Sequence, residues 1–191
     1  RGDGPKVSMT ALIAKLTAQA LMAFPMLNST WLGDGKVLVH PHADLAIAVD
    51  SPDGLMVPVL RACEQKRLTE LAVELASLAE GARNRTLSPD AMQGGTFTIS
   101  NLGMFGITRF RAIVNPPQCG ILAVGAIVRK PVERSPSGLG SERIAAHSGE
   151  LCFAPFIELS ISADHRIVDG AYAARFLQHL ASLLRAPVRA L

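Results

Sequence analysis

A short segment that contains a histidine between two acidic residues is where this chain could carry out acid–base chemistry. Residues 162–170 read Ser-Ala-Asp-His-Arg-Ile-Val-Asp-Gly. They lie between an alternating run at 156–162, typical of a strand, and a helical pattern from Ala171 to Arg185. A turn between a strand and a helix places its side chains at an element edge, where they can face a cleft. Histidine changes its charge near neutral pH, so His165 is a candidate general base for a thiol proton.

The residues around this histidine decide between a catalytic and a structural role. A histidine near a strand end is, without context, more often a structural hydrogen-bonding residue. The flanking Asp164, Arg166, Asp169 and Gly170 favour the catalytic interpretation. Asp169 directly precedes the helical pattern and is equally an N-cap, while Gly170 allows a tight backbone beside it. No Ser-His-Asp or Cys-His pattern is evident, so a base that acts on a substrate thiol fits better than a nucleophile of the protein.

Two glycine-containing segments are further candidates. Residues 94–107 read Gly-Gly-Thr-Phe-Thr-Ile-Ser-Asn-Leu-Gly-Met-Phe-Gly-Ile, and the alternating β-formers end at Ser100 and Asn101. Residues 53–59 read Asp-Gly-Leu-Met-Val-Pro-Val and include Leu55. Taken alone, the first is an ordinary junction between a strand and a turn, and the second is a turn into a strand. Both interpretations stay open from the residues themselves.

The spacing of apolar and turn residues predicts the elements that position these segments. Helices are predicted over 7–24, 68–82 and 171–185. Strands are predicted over 36–40, 45–50, 55–61, 95–101, 108–115, 119–131 and 151–163. Residues 133–150, rich in Gly, Ser and Pro, are expected to form a surface hairpin or a mobile loop. Hairpin-sized turns between many of these elements favour an α+β fold, a mixed sheet packed with helices, over a doubly wound fold.

Composition excludes several classes of function. The 191 residues suit one domain, and 49% hydrophobic against 18% charged residues indicates surface buried against copies of the chain. A net charge of +3 without a basic tract argues against nucleic acid, and no apolar run is long enough to cross a membrane. The first five residues do not resemble a signal peptide. The chain has no CxxC pair, and its three cysteines, Cys63, Cys119 and Cys152, are expected to be reduced thiols. A metal site is not expected at His40 and His42, because no third ligand accompanies them.

The Asp-His-Arg-x-x-Asp-Gly segment closely resembles the signature of the dihydrolipoamide acyltransferases, the core enzymes of the 2-oxo acid dehydrogenase complexes. The resemblance covers residues 6–191, because Gly-Thr-Phe-Thr-Ile-Ser-Asn-Leu-Gly, Ile-Val-Asn-Pro-Pro-Gln at 113–118 and Ile-Leu-Ala-Val-Gly at 121–125 follow in the family's order. It implies that His165 is the catalytic base and that Ser100 stabilises a tetrahedral oxyanion. It also implies that Asp169 belongs to the catalytic residues and that the site is oriented through Asp169 or Arg166. The remaining residues that the resemblance implicates are Leu55 and Asn101 as substrate contacts and Asp164 and Gly170 as structural support.

The resemblance further implies an α+β sandwich like that of chloramphenicol acetyltransferase, assembled as a homotrimer or a larger core built from trimers. Each site then lies between subunits, with the histidine and the serine from different chains. The implied reaction is acyl transfer from S-acyl-dihydrolipoamide to coenzyme A, without a metal. The Asn-Leu-Gly-Met-Phe-Gly-Ile run favours the acetyl group of the pyruvate complex. Alternatives are branched-chain acyl transfer, O-acetylation of a small molecule by the same fold, and an inactive scaffold.

The resemblance also sets an expected domain organisation. Residues 1–191 are expected to be the acyltransferase catalytic domain, without a basic segment and a strand that precede the first helix in the family. The lipoyl and peripheral-subunit-binding domains are expected to lie outside this sequence. The implied partners are a lipoyl domain, a 2-oxo acid decarboxylase and dihydrolipoamide dehydrogenase, with no nucleic acid and no membrane. The implied compartment is the cytoplasm of a bacterium or the mitochondrial matrix of a eukaryote.

Overall fold

The computed structural model describes residues 6–52, 54–133 and 151–187. Its three α-helices are α1 (Met9–Ala23), α2 (Leu68–Asn84) and α3 (Gly170–Arg185). In chain order the strands are β1 (Ser29–Gly33), β2 (Lys36–Val39), β3 (Leu45–Ile47), β4 (Val49–Ser51), β5 (Gly54–Met56), β6 (Val59–Leu60), β7 (Phe97–Asn101), β8 (Gly120–Val124), β9 (Val128–Glu133), β10 (Leu151–Phe156) and β11 (Leu159–Ala163). All three predicted helices are confirmed, with ends that differ by two residues or fewer.

A five-stranded mixed sheet is the centre of the fold. Its strand order is β11-β8-β7-β3-β6. Strands β3, β7 and β8 run parallel to one another, while β6 and β11 are antiparallel edge strands. The remaining strands form three two-stranded hairpins, β1–β2, β4–β5 and β9–β10. The α+β class with a mixed sheet is therefore confirmed.

The helices cover one face of this sheet. Helix α1 begins at a Ser8 N-cap, whose Oγ accepts from Ala11 N at 3.1 Å, and contacts both other helices. The core between helices and sheet contains large apolar side chains that are fully buried. They include Leu16, Leu21, Leu45, Leu71, Phe97, Ile99, Leu122, Phe176 and Leu180. Removing such side chains from water is the main favourable term for this fold.

The opposite face of the sheet carries small and polar side chains. Cross-strand partners share a face, so Ser100, Ala123 and Ser160 form one row across β7, β8 and β11. An irregular segment, residues 106–117, which we call the arm, contacts this side of the sheet near β8 and β11. Its contacts with the sheet side are few and specific: Ala126 N donates to Ile107 O at 2.7 Å, and Ser160 Oγ donates to Phe110 O at 2.6 Å.

Several strand predictions were wrong in their bounds. Residues 108–115 lie in the arm and form no strand, because the arm crosses the face of the sheet and lacks a neighbouring strand to pair with. The predicted strands 119–131 and 151–163 each divide into two, since β9 and β10 leave the central sheet and pair with each other. The predicted strands 45–50 and 55–61 also each divide into two, since β4 and β5 pair with each other as a separate hairpin. Strand β1 was not predicted. Of the segment 133–150, only Glu133 is described, as the last residue of β9; the rest lies outside the described residues.

Candidate active site

The turn that carries His165 is held by its backbone. Asp164 N donates to Cys119 O at 2.7 Å, and the Asp164 carbonyl accepts from Ile167 N at 3.0 Å and Val168 N at 3.2 Å. Val168 is buried in the core, whereas His165 is exposed. Among the described residues the imidazole has no hydrogen-bond partner. The His165 imidazole is therefore exposed and free of hydrogen bonds to any described residue, on a turn whose backbone is bonded to the sheet.

Arg166 and Asp164 form a tight ion pair beside this histidine. Arg166 Nη2 lies 2.6 Å from Asp164 Oδ2, and Arg166 Nε and N each lie 3.0 Å from Asp164 Oδ1. These hydrogen bonds from Arg166 lower the pKa of the Asp164 carboxyl and raise the pKa of the guanidinium. The Arg166 guanidinium carbon also lies 5.3 Å from the centroid of the Trp31 ring. Arg166, one of the predicted supporting residues, thus links the turn to Asp164 and to the Trp31 ring.

Asp169 caps the helix that follows the turn. Its Oδ1 accepts from Tyr172 N at 2.6 Å, and its carbonyl accepts from Ala173 N at 3.1 Å. The N-cap interpretation is therefore confirmed, while the catalytic role of Asp169 stays a prediction. A Cβ at Gly170 would meet nothing within 4 Å in one chain, so the role of Gly170 in supporting the site stays a prediction.

Ser100 lies half-buried near the carboxyl end of β7. Its Oγ has no hydrogen-bond partner among the described residues, so it is free to donate to a ligand. The neighbouring Asn101 is occupied differently: its Nδ2 donates to Thr10 Oγ1 at 3.1 Å, and its Oδ1 accepts from Gly103 N at 2.9 Å. Asn101 therefore fixes the strand end to α1 and to the next turn, and its predicted substrate contact stays a prediction.

The structure does not bring Ser100 and His165 together within one chain. Ser100 pairs with Ala123 near the end of β8, whereas Ala163, two residues before the histidine, pairs with Gly120 at the start of β8. Three residues along a strand span roughly 10 Å, and two strand spacings span roughly another 10 Å across the sheet. His165 continues beyond Ala163, away from the level of Ser100. A single substrate atom cannot contact both side chains of the same chain.

The third candidate, Leu55, lies in the small β4–β5 hairpin. It pairs with Asp50, and its side chain is 71% exposed. The hairpin is separate from the central sheet, and α2 packs against β4. Leu55 is accessible to a ligand, and its substrate contact stays a prediction.

The cysteines and the paired histidines do not form a second reactive centre. Burial raises the pKa of Cys63 to about 12 and that of Cys119 to about 11, and all three cysteines are free thiols. His40 and His42 bond to Thr30 Oγ1 at 2.9 Å and Glu64 Oε1 at 2.8 Å, respectively. Within residues 6–52, 54–133 and 151–187 we find no group of three or more possible metal ligands, and no helix there is long and apolar enough to cross a bilayer.

A pocket beneath the arm was missed by the sequence reasoning. Its volume is about 510 Å³, and it is lined by Arg109, Arg111, Glu158 and Ser160, with Ala123 also contributing. The only signal in the sequence is the alternation Arg-Phe-Arg at 109–111, which places both arginines on the same side of an extended segment. Because 108–115 was interpreted as a strand of the sheet, that signal pointed to no cavity.

The fold, a mixed sheet with helices on one face, identifies the class of protein. Chloramphenicol acetyltransferase superposes with a TM-score of 0.55 over 93% of this chain and 78% of its own length, at 13% identity, which shows a shared fold. The family is defined by sequence: the profile described as 2-oxoacid dehydrogenases acyltransferase (catalytic domain) matches residues 1–191, and the chain belongs to this family. The predicted family and the chloramphenicol-acetyltransferase-like fold are thereby confirmed.

Named relatives agree with this assignment. A mitochondrial protein of Schizosaccharomyces pombe, named as the dihydrolipoyllysine-residue acetyltransferase component of the pyruvate dehydrogenase complex, is 41% identical over 183 residues. That match covers 96% of this chain and 36% of the relative. Two solved structures each match with a TM-score of 0.84 at 39% identity, over 98% of this chain and 72% of theirs. One is Azotobacter vinelandii dihydrolipoamide acetyltransferase, studied for a serine, a histidine and an asparagine in its catalytic mechanism; the other is the cubic core of the pyruvate dehydrogenase multienzyme complex.

The chain is shorter than these relatives. It spans between 36% and 41% of the length of the first four curated relatives, all named as acetyltransferase components of pyruvate dehydrogenase complexes. The match over residues 1–191 therefore establishes the family of the catalytic domain.

Proposed function

We propose that this chain transfers an acetyl group from S-acetyl-dihydrolipoamide to coenzyme A. The observation that carries the proposal is the exposed His165, held on a braced turn inside the Asp-His-Arg-x-x-Asp-Gly segment. The relatives are named as acetyltransferase components of pyruvate dehydrogenase complexes, which supports acetyl over a branched-chain acyl group. Residues 1–191 form the catalytic domain of the protein, and a separate lipoyl domain delivers the acyl group.

The mechanism uses one base and one oxyanion donor. The unprotonated imidazole of His165 takes the proton of the coenzyme A thiol, and the thiolate sulfur attacks the thioester carbonyl carbon. The carbonyl oxygen becomes an oxyanion that accepts a hydrogen bond from Ser100 Oγ. The intermediate then breaks its bond to the dihydrolipoamide sulfur. That sulfur leaves with the proton from His165, so acetyl-coenzyme A and dihydrolipoamide form and the imidazole returns to its starting state.

The two residues meet only across a subunit contact in this proposal. Ser100 and Ala163 lie at different ends and on different strands of the sheet, as the pairings of β7, β8 and β11 require. A second copy of the chain must supply the partner residue, and a cyclic homotrimer provides three equivalent contacts. The similarity to the cubic core structure supports a larger core that is built from such trimers.

Asp169 supports the histidine in this proposal. In the Azotobacter vinelandii enzyme the named asparagine follows the named histidine by four positions, and Asp169 follows His165 by the same interval. An aspartate and an asparagine both cap a helix through a side-chain oxygen. Asp169 caps α3 in this chain, and an asparagine at this position would keep a capping oxygen without the charge.

The proposed partners are a lipoyl domain, a 2-oxo acid decarboxylase and dihydrolipoamide dehydrogenase. Neither nucleic acid nor a membrane takes part. The relatives include a protein named as mitochondrial and bacterial proteins, so the proposed compartment is the mitochondrial matrix or the bacterial cytoplasm, according to the source.

One assay tests the proposed reaction. Purified protein is mixed with acetyl-coenzyme A and free dihydrolipoamide, and S-acetyl-dihydrolipoamide is measured in this reverse direction. We expect a rate that depends on both substrates and disappears in His165→Ala. Release of free coenzyme A with a small alcohol as acceptor, and not with dihydrolipoamide, would instead identify an O-acetyltransferase. A folded protein without either activity would identify an inactive scaffold.

A further inference from the structure

We propose that Trp31 is a positioning residue for the proposed reaction, because its ring holds Arg166 and thereby fixes the turn that carries His165. The inference rests on the proposed function, since it assigns a role in that reaction to a side chain outside the catalytic residues. Trp31 lies in β1 and belongs to none of the short segments that carry the family resemblance. Only the tertiary structure brings it to the turn.

The strand that presents Trp31 is bonded to the same residue as the turn. Trp31 pairs with Val37 in the β1–β2 hairpin. At the start of β1, Ser29 O accepts from Cys119 N at 3.0 Å. The Cys119 carbonyl in turn accepts from Asp164 N at 2.7 Å. The main chain at Cys119 therefore sets the spacing between β1 and the turn, so the ring has a fixed position relative to the histidine segment.

The ion pair of Arg166 needs a second contact to keep the guanidinium in place. The Arg166 side chain is 62% exposed and that of Asp164 is 18% exposed. An ion pair in contact with water is weak, because its charges are screened and the flexible side chain must be ordered. The half-buried Trp31 ring supplies the second contact, with its centroid 5.3 Å from Arg166 Cζ. A cation over an aromatic face is attracted to it, so two independent contacts hold the guanidinium.

A fixed Arg166 restricts His165, because the ion pair joins the residues on either side of the histidine. Arg166 N also donates to Asp164 Oδ1 at 3.0 Å, so both the main chain and the side chain of Arg166 are bonded to that carboxylate. The imidazole has no hydrogen bond of its own to any described residue, and its position depends on this backbone. A general base must lie within hydrogen-bond reach of the proton, and a displacement of about 1 Å can cost 10²-fold in rate. Loss of the ring should therefore lower turnover and leave substrate affinity unchanged.

The first test separates turnover from binding and from stability. The variants are Trp31→Leu and Trp31→Phe, with Leu32→Ala as the matched control, because Leu32 is the next residue of β1, is 60% exposed and points to the opposite face. We expect Trp31→Leu to lower kcat about tenfold with unchanged KM values for acetyl-coenzyme A and dihydrolipoamide. Trp31→Phe keeps an aromatic face and should recover most of the loss. Urea unfolding and native mass spectrometry monitor stability and assembly.

The second test asks whether Trp31 acts through Arg166. In a double-mutant cycle, Trp31→Leu should lower kcat no further once Arg166→Met is present. Amide hydrogen exchange at Asp164, Ile167 and Val168, whose N–H groups hold the turn, should be faster in Trp31→Leu and unchanged in the control. Trp31 is the only tryptophan of the sequence, so its fluorescence emission should change in Arg166→Met. Exchange and emission need no enzymatic activity.

Other results overturn the proposal. Parent turnover in folded Trp31→Leu shows that the ring does not position the base. Additive losses of Trp31→Leu and Arg166→Met show that the ring acts independently of the ion pair, and a loss of assembled protein shows that it supports a subunit contact instead. If Trp31→Leu does not fold, an unchanged emission spectrum in Arg166→Met shows that the contact is absent in solution. If the parent protein has no activity, the proposed function fails, while exchange and emission still decide whether the ring holds the turn.

Discussion

His165 and Ser100 lie at opposite ends of one sheet, after β11 and on β7, two strands that are separated by β8. The histidine follows β11, whose last residue, Ala163, pairs with the first residue of β8, whereas Ser100 pairs with Ala123 near the end of β8. Each residue is therefore positioned by its own local structure: His165 by a hydrogen-bonded turn and Ser100 by the end of β7. The proposed chemistry needs a second copy of the chain to unite them.

His165→Ala should lower kcat roughly 10²–10⁴-fold with little change in the KM for coenzyme A, because a positioned general base is lost while substrate binding persists. Steady-state kinetics with dihydrolipoamide and acetyl-coenzyme A measures both values. His42→Ala is the matched control, since His42 is also exposed but bonds to Glu64 outside the proposed site. Full turnover in folded His165→Ala would contradict the assignment.

Ser100→Ala should lower kcat about 10²–10³-fold, because the transition state loses one hydrogen-bond donor that the ground state does not need. The same assay, with Ser77→Ala on the exposed face of α2 as control, measures the effect. A defect confined to KM would show that Ser100 binds substrate and does not stabilise the oxyanion.

Mixing the two inactive variants tests the division of the site between chains. His165→Ala and Ser100→Ala are unfolded together in equal amounts and refolded. In a cyclic trimer an intact histidine then meets an intact serine at about a quarter of the contacts, so about a quarter of the parent activity should return. Separately refolded variants should stay at background. If mixed trimers are present by native mass spectrometry and no activity returns, both residues act within one chain.

Asp169→Ala should destabilise the protein by about 1 kcal/mol, because the N-terminus of α3 loses the bond from Tyr172 N to the carboxylate. Asp169→Asn keeps a capping oxygen and should retain the stability, measured by urea unfolding. Comparing kcat of the two variants separates charge from capping. A large fall in kcat in Asp169→Asn, at parent stability, would show that the carboxylate charge contributes to catalysis and contradict a role through capping alone.

Lys15→Met should destabilise the fold by about 2–3 kcal/mol, since it removes a buried ammonium group that bonds main-chain carbonyls. Lys15 Nζ lies 2.7 Å from Lys66 O, 2.9 Å from Glu64 O and 3.5 Å from Cys63 O, and these bonds hold the segment before α2. Urea unfolding measures the change, with the exposed Lys36→Met as control. An effect equal to that of the control would show that the carbonyls are satisfied without the lysine.

The features that could be predicted from the sequence depend on neighbours along the chain. The three helices follow from apolar spacing and from caps such as Ser8 and Asp169, whose partners lie three residues away. The Asp-His-Arg-x-x-Asp-Gly segment identified His165 and its support by Arg166, because an ion pair between positions 164 and 166 is equally local. The family resemblance rests on these same short segments.

The tertiary structure decided what depends on distant residues. Whether residues 108–115 pair as a strand or cross the sheet as the arm depends on Gly125 and Ser160, which lie far along the chain. Four predicted strands, 45–50, 55–61, 119–131 and 151–163, divide into eight, because β4 pairs with β5 and β9 pairs with β10 away from the central sheet. Local patterning specifies which residues favour extended backbone, but the choice of partner strand is a long-range free-energy difference. The family resemblance implied that the histidine and the serine of one site belong to different chains, and the strand register supplies the physical reason, because it holds Ser100 and His165 of one chain apart.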